Sequence, residues 1–179
     1  MIIAIIILVL IGLWGVTTYN GFVSLIERLK NSKSQIAVQM ESRWDALTNL
    51  ISATEKYSDY EKETLEEVIK NRKQVTINSS LDEIQKAEDQ FASAFGKIVA
   101  LAEAYPDLKA SEVYKKTMDS VNKYEDNVRY ARMTYNDMAT KYNRARRQVP
   151  KNIIASIMGL EEENYFVLSE NKSQMPSWK

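Results

Sequence analysis

The chain has 179 residues, 45% of them apolar and 27% charged, and its 24 basic and 24 acidic side chains cancel. That length suits one domain plus an anchor, and the absence of net charge leaves no global electrostatic footprint for nucleic acid. With no cysteine and no histidine, thiol catalysis, histidine-based triads, zinc or haem ligation through these residues, and a cysteine-linked lipid anchor are excluded together.

The first twenty residues, MIIAIIILVLIGLWGVTTYN, are the strongest signal. Glu27 is the first acidic or basic side chain of the sequence, and about 20 apolar residues span the hydrocarbon layer of a bilayer. Trp14 and Tyr19 sit toward one end, where interfacial aromatics belong. A signal peptide would show a basic start and a small-residue cleavage site, and neither is visible. Residues 1–20 therefore read as an uncleaved transmembrane anchor. Arg28, Lys30 and Lys33 follow it closely, with Arg43 further on. The positive-inside rule then places the amino terminus outside and the body in the cytoplasm.

Residues 21–150 read as four amphipathic helices. Scarce glycine (5) and proline (3) favour long helices with few turns, and no strand periodicity competes. The first stripe is Phe22, Ile26, Leu29, Ile36, Met40, Trp44, Leu47 and Ile51, at spacings of three, four and seven. A capping pattern from Ser58 to Glu61 opens a second helix with Leu65, Val68 and Ile69. Its carboxylates Glu61, Glu63, Glu66 and Glu67 are interleaved with lysines and read as a solvated face.

Ser80 and Glu83 repeat the capping pattern and open a third helix with Leu81, Ile84, Ala87, Phe91, Ala94, Phe95, Ile98 and Leu101. Tyr105-Pro106 stops it, because proline cannot continue the backbone ladder. The fourth helix starts between Asp107 and Ser111 and runs to about Arg147, with Pro150 beyond it. Its stripe is Tyr114, Met118, Val121, Val128, Tyr135 and Tyr142, with Glu125 and Arg132 in the same register. Short connections favour antiparallel neighbours, hence an up-down-up-down, coiled-coil-like bundle. Residues 151–179 read as a short apolar helix (Ile153, Ile154, Ile157, Met158, Leu160) and a polar, mobile tail. The fold class is all-α.

Three sets of polar residues stand out. Matching the ends of antiparallel first and fourth helices sets Arg43 beside Glu125, which predicts a buried ion pair with Asp45 or Asn49 near it and Arg132 two turns on. Such a pair fixes helix register, and an open cleft at the same residues would be the enzyme alternative. The dipeptide Tyr-Asn occurs at 135–136 and again at 142–143, two turns apart on one face, and once more at 19–20. Tyr135, Asn136, Tyr142 and Asn143 read as an interhelical polar seam, with a peptide- or lipid-binding groove as the functional alternative. Lys141, Arg144, Arg146, Arg147 and Lys151 carry five positive charges with no acid among them. They face the bilayer if the fourth helix returns to it, or complement a helix C-terminus if it does not.

These residues together resemble a known family. A hydrophobic amino-terminal span ending in Tyr-Asn, then RWDALTNLI (43–51), Glu61, YPDLKA (105–110), YEDNVRYARMTYNDMATKYNRARRQVP (124–150), the IIA near 154 and Tyr165-Phe166 are similar to the LemA family of bacterial membrane proteins. The likeness runs in order over nearly the whole chain, and the stretch from Tyr105 to Pro150 is its most specific part. Two positions depart from it. Ser42 stands where the family tends to have a second arginine, which removes a charge. Thr48 stands where it tends to have proline, which implies a straighter first helix. The resemblance implies an antiparallel four-helix bundle behind a membrane anchor. No biochemical activity is attached to the family.

The expected function is thus a non-enzymatic scaffold or binding module of the bacterial envelope, anchored by a single pass, with no cofactor. Its expected partners are the lipid bilayer and other membrane or envelope proteins. A homo-oligomer or a purely structural spacer is the further option.

Overall fold

A computed structural model of the chain describes residues 1–54, 72 and 74–166. The second helix expected from Ser58, with its glutamate cluster, and the tail beyond Phe166 lie outside the described residues. All regular structure among the described residues is helical: α1 (Ile2–Thr54), α2 (Leu81–Ala104), α3 (Pro106–Ala110), α4 (Glu112–Arg147) and α5 (Lys151–Ile157).

Helix α1 runs unbroken through Asn20-Gly21. Its first part is a rod of exposed apolar side chains from Ile2 to Val16. Only 6% of its most apolar 18-residue window is buried, and the helix is long and apolar enough to cross a membrane. From Phe22 onward the character changes. Phe22, Leu29, Ile36, Met40, Trp44, Leu47 and Ile51 are buried, which is the stripe that helical spacing dictates.

The chain divides into two compact units, Asn31–Arg132 and Met1–Lys30 with Met133–Lys179. In the unit Asn31–Arg132, side chains of α1, α2, α3 and α4 share one core: Trp44, Leu47 and Leu50 with Phe91, Ile98, Leu108, Tyr114 and Val121. Trp44 meets Phe91 edge to face, centroids 5.4 Å apart, the arrangement that ring quadrupoles favour. Proline limits α2. Tyr105 caps it in an extended conformation, and Pro106 takes the first position of the short α3, where its missing N–H costs nothing.

The start of α2 rests on a reciprocal cap. The Glu83 amide donates to Ser80 Oγ at 3.2 Å, and the Ser80 amide donates to Glu83 Oε2 at 2.7 Å. The Ser80 amide first, and then the Ser80 hydroxyl, hold the Glu83 carboxyl below its ordinary 4.5. A depressed folded-state pKa contributes stability above the unfolded value, lost as pH falls through the folded one. Acidification below about pH 4.5 therefore weakens the cap at the start of α2, and a pH titration of helicity should lose that acid-side component in Glu83→Gln. Ser80→Ala should cost about 1 kcal/mol in chemical denaturation.

In the other unit, α5 packs its Ala155 with Phe22 of α1 and Ala145 of α4, supported by Leu25, Ile154, Met158 and Leu160. The two alanines allow close approach to the phenyl ring. The end of α5 is a Schellman turn: the Leu160 amide donates to Ala155 O at 3.0 Å and the Gly159 amide to Ser156 O at 3.1 Å. Gly159 has φ +64°, a conformation open to glycine at no steric cost. This turn delivers residues 161–166 onto α4.

Candidate functional site

Two polar constellations are built into the helices, one in each unit. The first, in Asn31–Arg132, centres on Arg43, which is 1% exposed. Its Nη1 donates to Glu125 Oε2, and its Nη2 pairs with Glu88 Oε1 at 2.5 Å. Arg132 Nη2 lies 3.1 Å from Glu88 Oε2. The Arg43 guanidinium also stacks over the Phe91 ring, 3.9 Å from its centroid, a cation–π contact. Two arginines and two glutamates from α1, α2 and α4 thus form a neutral knot. Desolvating Arg43 is tolerable only because its planar fork meets two carboxylates.

Arg43, Glu125 and Arg132 belong to one cluster, whereas Asp45 and Asn49 do not join it. Both are exposed, and Asp45 instead pairs with Arg72 at 3.1 Å. The reason is helical angle. At about 100° per residue, positions two and six after an inward-facing arginine point away from it. Glu88, absent from the expected set, is the central carboxylate and is 7% exposed. Its signal lay in phase, four residues after Ile84 and three before Phe91 on a buried stripe.

Chemically, the knot offers little. Both Glu88 oxygens face guanidinium groups, so neither is open to accept a substrate proton, and arginine does not release one. Cavities among the described residues lie elsewhere. One of about 210 Å³ is lined by Ala37, Met40, Trp44 and Arg72. Another, of about 320 Å³, is lined by Trp14, Thr18, Phe22 and Lys151. Among the described residues no group of three or more carboxylates is arranged to hold a metal ion.

The second constellation is the Tyr-Asn face of α4. Asn143 is fully buried. Its Nδ2 donates to Glu163 O at 2.8 Å while its Oδ1 accepts from the Glu163 amide at 3.0 Å. Asn136 does the same one step along: Nδ2 to Phe166 O at 2.9 Å, and the Phe166 amide to Oδ1 at 2.9 Å. Each asparagine thus imitates the edge of a β-strand, engaging both polar groups of one residue's backbone. The spacing explains the repeat. Seven residues of helix advance about 10.5 Å, and three residues of extended chain cover about 10 Å. A seven-residue asparagine repeat on α4 therefore matches a three-residue step from Glu163 to Phe166.

The tyrosines complete the contact. Tyr142 OH donates to Glu161 O at 3.0 Å, and Tyr135 OH donates to Glu163 Oε2 at 3.3 Å. The Tyr135 and Phe166 rings meet edge to face at 5.1 Å. Burial first, and then the Glu163 charge, push the Tyr135 and Tyr142 hydroxyls above their ordinary 10.0, so both remain donors. Tyr165 moves the other way, because Asn143 Nδ2 donates to its oxygen. The seam thus joins α4 to an extended strap rather than to another helix, since the strap's backbone groups fill the two amides. The other Tyr-Asn pair, Tyr19-Asn20, is exposed and takes no part.

The basic set divides. Arg146 pairs with Glu162 at 3.2 Å, and Arg147 Nε donates to Asn143 O at 3.3 Å. Lys141, Arg144 and Lys151 are exposed.

Comparison with known proteins places the chain among named relatives. A magnetosome protein, MamQ of Magnetospirillum gryphiswaldense, is 25% identical over 174 residues, 83% of this chain and 64% of that protein. A second, MamQ 2 of Paramagnetospirillum magneticum, is 26% identical over the same shares. Protein LemA of Metamycoplasma hominis is 27% identical over 144 residues, 79% of this chain and 65% of its own. The chain thus spans somewhat less than two thirds of the curated relatives it matches. The LemA family profile matches residues 32–179, and the chain belongs to the LemA family.

Proposed function

We propose that this protein is a membrane-anchored helical module that acts by binding or scaffolding and not by catalysis. The observation that carries the reading is α1: one continuous helix whose first part exposes nothing but apolar and small side chains, while its later turns supply the core of the helical body. Such a surface suits the hydrocarbon layer of a bilayer. The body then lies on the cytoplasmic side, following Arg28, Lys30 and Lys33, as an antiparallel helical bundle.

The non-enzymatic reading draws support from the charged knot, whose carboxylates are committed to arginines. It is a register lock, with a polar core group specifying how helices align. Likeness to magnetosome proteins and to LemA is consistent with a role at a membrane and carries no reaction. A pure spacer would need only the lock, whereas the Tyr-Asn face, which grips the backbone of an extended segment, gives a binding module something to bind with.

Within Met1–Lys30 and Met133–Lys179, the packing of Phe22 with Ala145 and Ala155 sets the end of α4 beside the α1 segment that follows the anchor. Lys141, Arg144 and Lys151 then meet the headgroups of the cytoplasmic leaflet. Near anionic lipid each is worth about 1 kcal/mol, so neutralising all three should weaken vesicle binding of residues 21–179 roughly a hundredfold, and reversing them should weaken it further. Flotation with phosphatidylglycerol vesicles measures it, and an unchanged bound fraction eliminates the lipid contact. Cross-linking pull-down from native membranes tests the module itself: recovery of reproducible protein neighbours supports it, and recovery of none leaves only the spacer.

A further inference from the structure

The strap Glu161–Phe166 is held in an unusual way for a terminal segment. Among the described residues, its hydrogen bonds reach α4 at Tyr135, Asn136, Tyr142, Asn143 and Arg146. Most of them engage its backbone, so the face of α4 reads an extended chain of fixed spacing. Side chains add selectivity through Glu162 to Arg146, Glu163 to Tyr135, and the Phe166 ring on the Tyr135 ring. Glu161, Glu162, Asn164 and Tyr165 are exposed. The strap therefore lies on the outside of the helix and covers Tyr135, Tyr142 and Asn143, so a departing strap has to be replaced by an equivalent segment.

We infer that the Tyr-Asn face of α4 is a docking site for an extended acidic segment, and that a second copy of this chain supplies that segment in exchange for the resident one. The sequence that satisfies every one of these contacts is Glu-Glu-Glu-Asn-Tyr-Phe, which any second copy carries. Exchange preserves each bond and needs only a change of direction before the strap. Gly159, in the left-handed region two residues earlier, is the residue type for which either sign of φ is open. The inference deepens the binding-module reading and rests on it in one respect. Anchoring confines copies to one membrane with their bodies on one face, where a neighbour's strap competes at an effective concentration approaching that of the resident one.

The test uses the full chain with p-benzoylphenylalanine in place of Tyr165. Copies of heavy and light isotopic composition are mixed and reconstituted in phosphatidylcholine–phosphatidylglycerol vesicles at about one chain per hundred lipids, a density at which neighbours meet. After illumination, cross-linked peptides joining position 165 to residues 133–147 are read by mass. The expected result is a mixed heavy–light fraction of at least roughly a tenth, diminishing on dilution with lipid. Only single-isotope cross-links, in vesicles that retain the protein, would overturn the exchange and leave anchoring untouched. Failure of the chain to float with vesicles would overturn both readings. In Asn136→Ala/Asn143→Ala both kinds of cross-link should vanish. A mixed product that persists there does not use this face, and overturns the proposal as well. Substitution at position 165 gives up the bond from Asn143 to the tyrosine oxygen but keeps the backbone bonds of Glu163 and Phe166 that hold the strap.

Discussion

Replacing Arg43 with methionine should lower the unfolding free energy of the chain by about 3–5 kcal/mol, the cost of leaving a buried charge without its partner. Methionine fills much of the space under Phe91, so little of the effect is cavity. What dominates is Glu88, 7% exposed, which loses its 2.5 Å partner and retains only Arg132. Glu125, at 43% exposed, turns to water and suffers less. Glu125→Gln should therefore cost far less than Arg43→Met, on the order of 1 kcal/mol. The double change Arg43→Met/Glu88→Leu should recover most of the loss, because a buried ion pair exchanged for apolar groups of similar size is close to neutral. Chemical denaturation in detergent micelles, followed by far-ultraviolet circular dichroism, measures all three. A loss below about 1 kcal/mol for Arg43→Met, the size of a surface pair, would mean that Arg43 is solvated.

Asn143→Ala should free the strap while leaving the helices standing. It removes both bonds to the backbone of Glu163 and the bond to Tyr165. At about 1 kcal/mol net for each of the two backbone bonds, exchange of the Glu163 amide should accelerate roughly thirtyfold. Asn143→Asp is the sharper probe. It keeps an oxygen for the Glu163 amide but turns a second oxygen toward the Glu163 carbonyl, where only a donor fits. It should therefore release the strap at least as fully as alanine does. Hydrogen exchange resolved at residues 160–166 reads both variants, with α4 near Val128 as the internal reference. Retained protection in the aspartate variant would show that the carbonyl contact is dispensable and that the asparagine grips one group only.

Much of this was legible in the residues themselves. Arg43 and Glu125 can be paired from helix lengths alone, because polar residues on an apolar stripe need a partner at their own level on the neighbouring helix. Glu88 was equally in phase between Ile84 and Phe91, yet a stripe otherwise made of alanine, isoleucine and phenylalanine reads as pure core. Asp45 and Asn49 stand close to Arg43 in sequence and far from it in angle, which is why nearness along a helix misleads where rotation decides. The Tyr-Asn repeat announces a face two turns long. Its occupant was hidden, because Glu161–Phe166 has no periodicity and acquires its extended form only from the amides it meets. Arg146 illustrates the same limit: it reads as lipid-facing until Glu162 is brought beside it by the Schellman turn at Gly159.

The most direct test of the anchored body is cysteine accessibility, made clean by a chain with no cysteine of its own. Single substitutions Leu10→Cys and Asn122→Cys place one thiol in the exposed apolar rod and one on the exposed surface of α4. In cells expressing the full chain, treated with a membrane-impermeant maleimide, the predicted result is no labelling at position 10 before or after permeabilisation. Position 122 should label only after it. Labelling at position 10 as rapid as at position 122, or labelling at position 122 from outside intact cells, would contradict a lipid-embedded helix that carries its body on the cytoplasmic face.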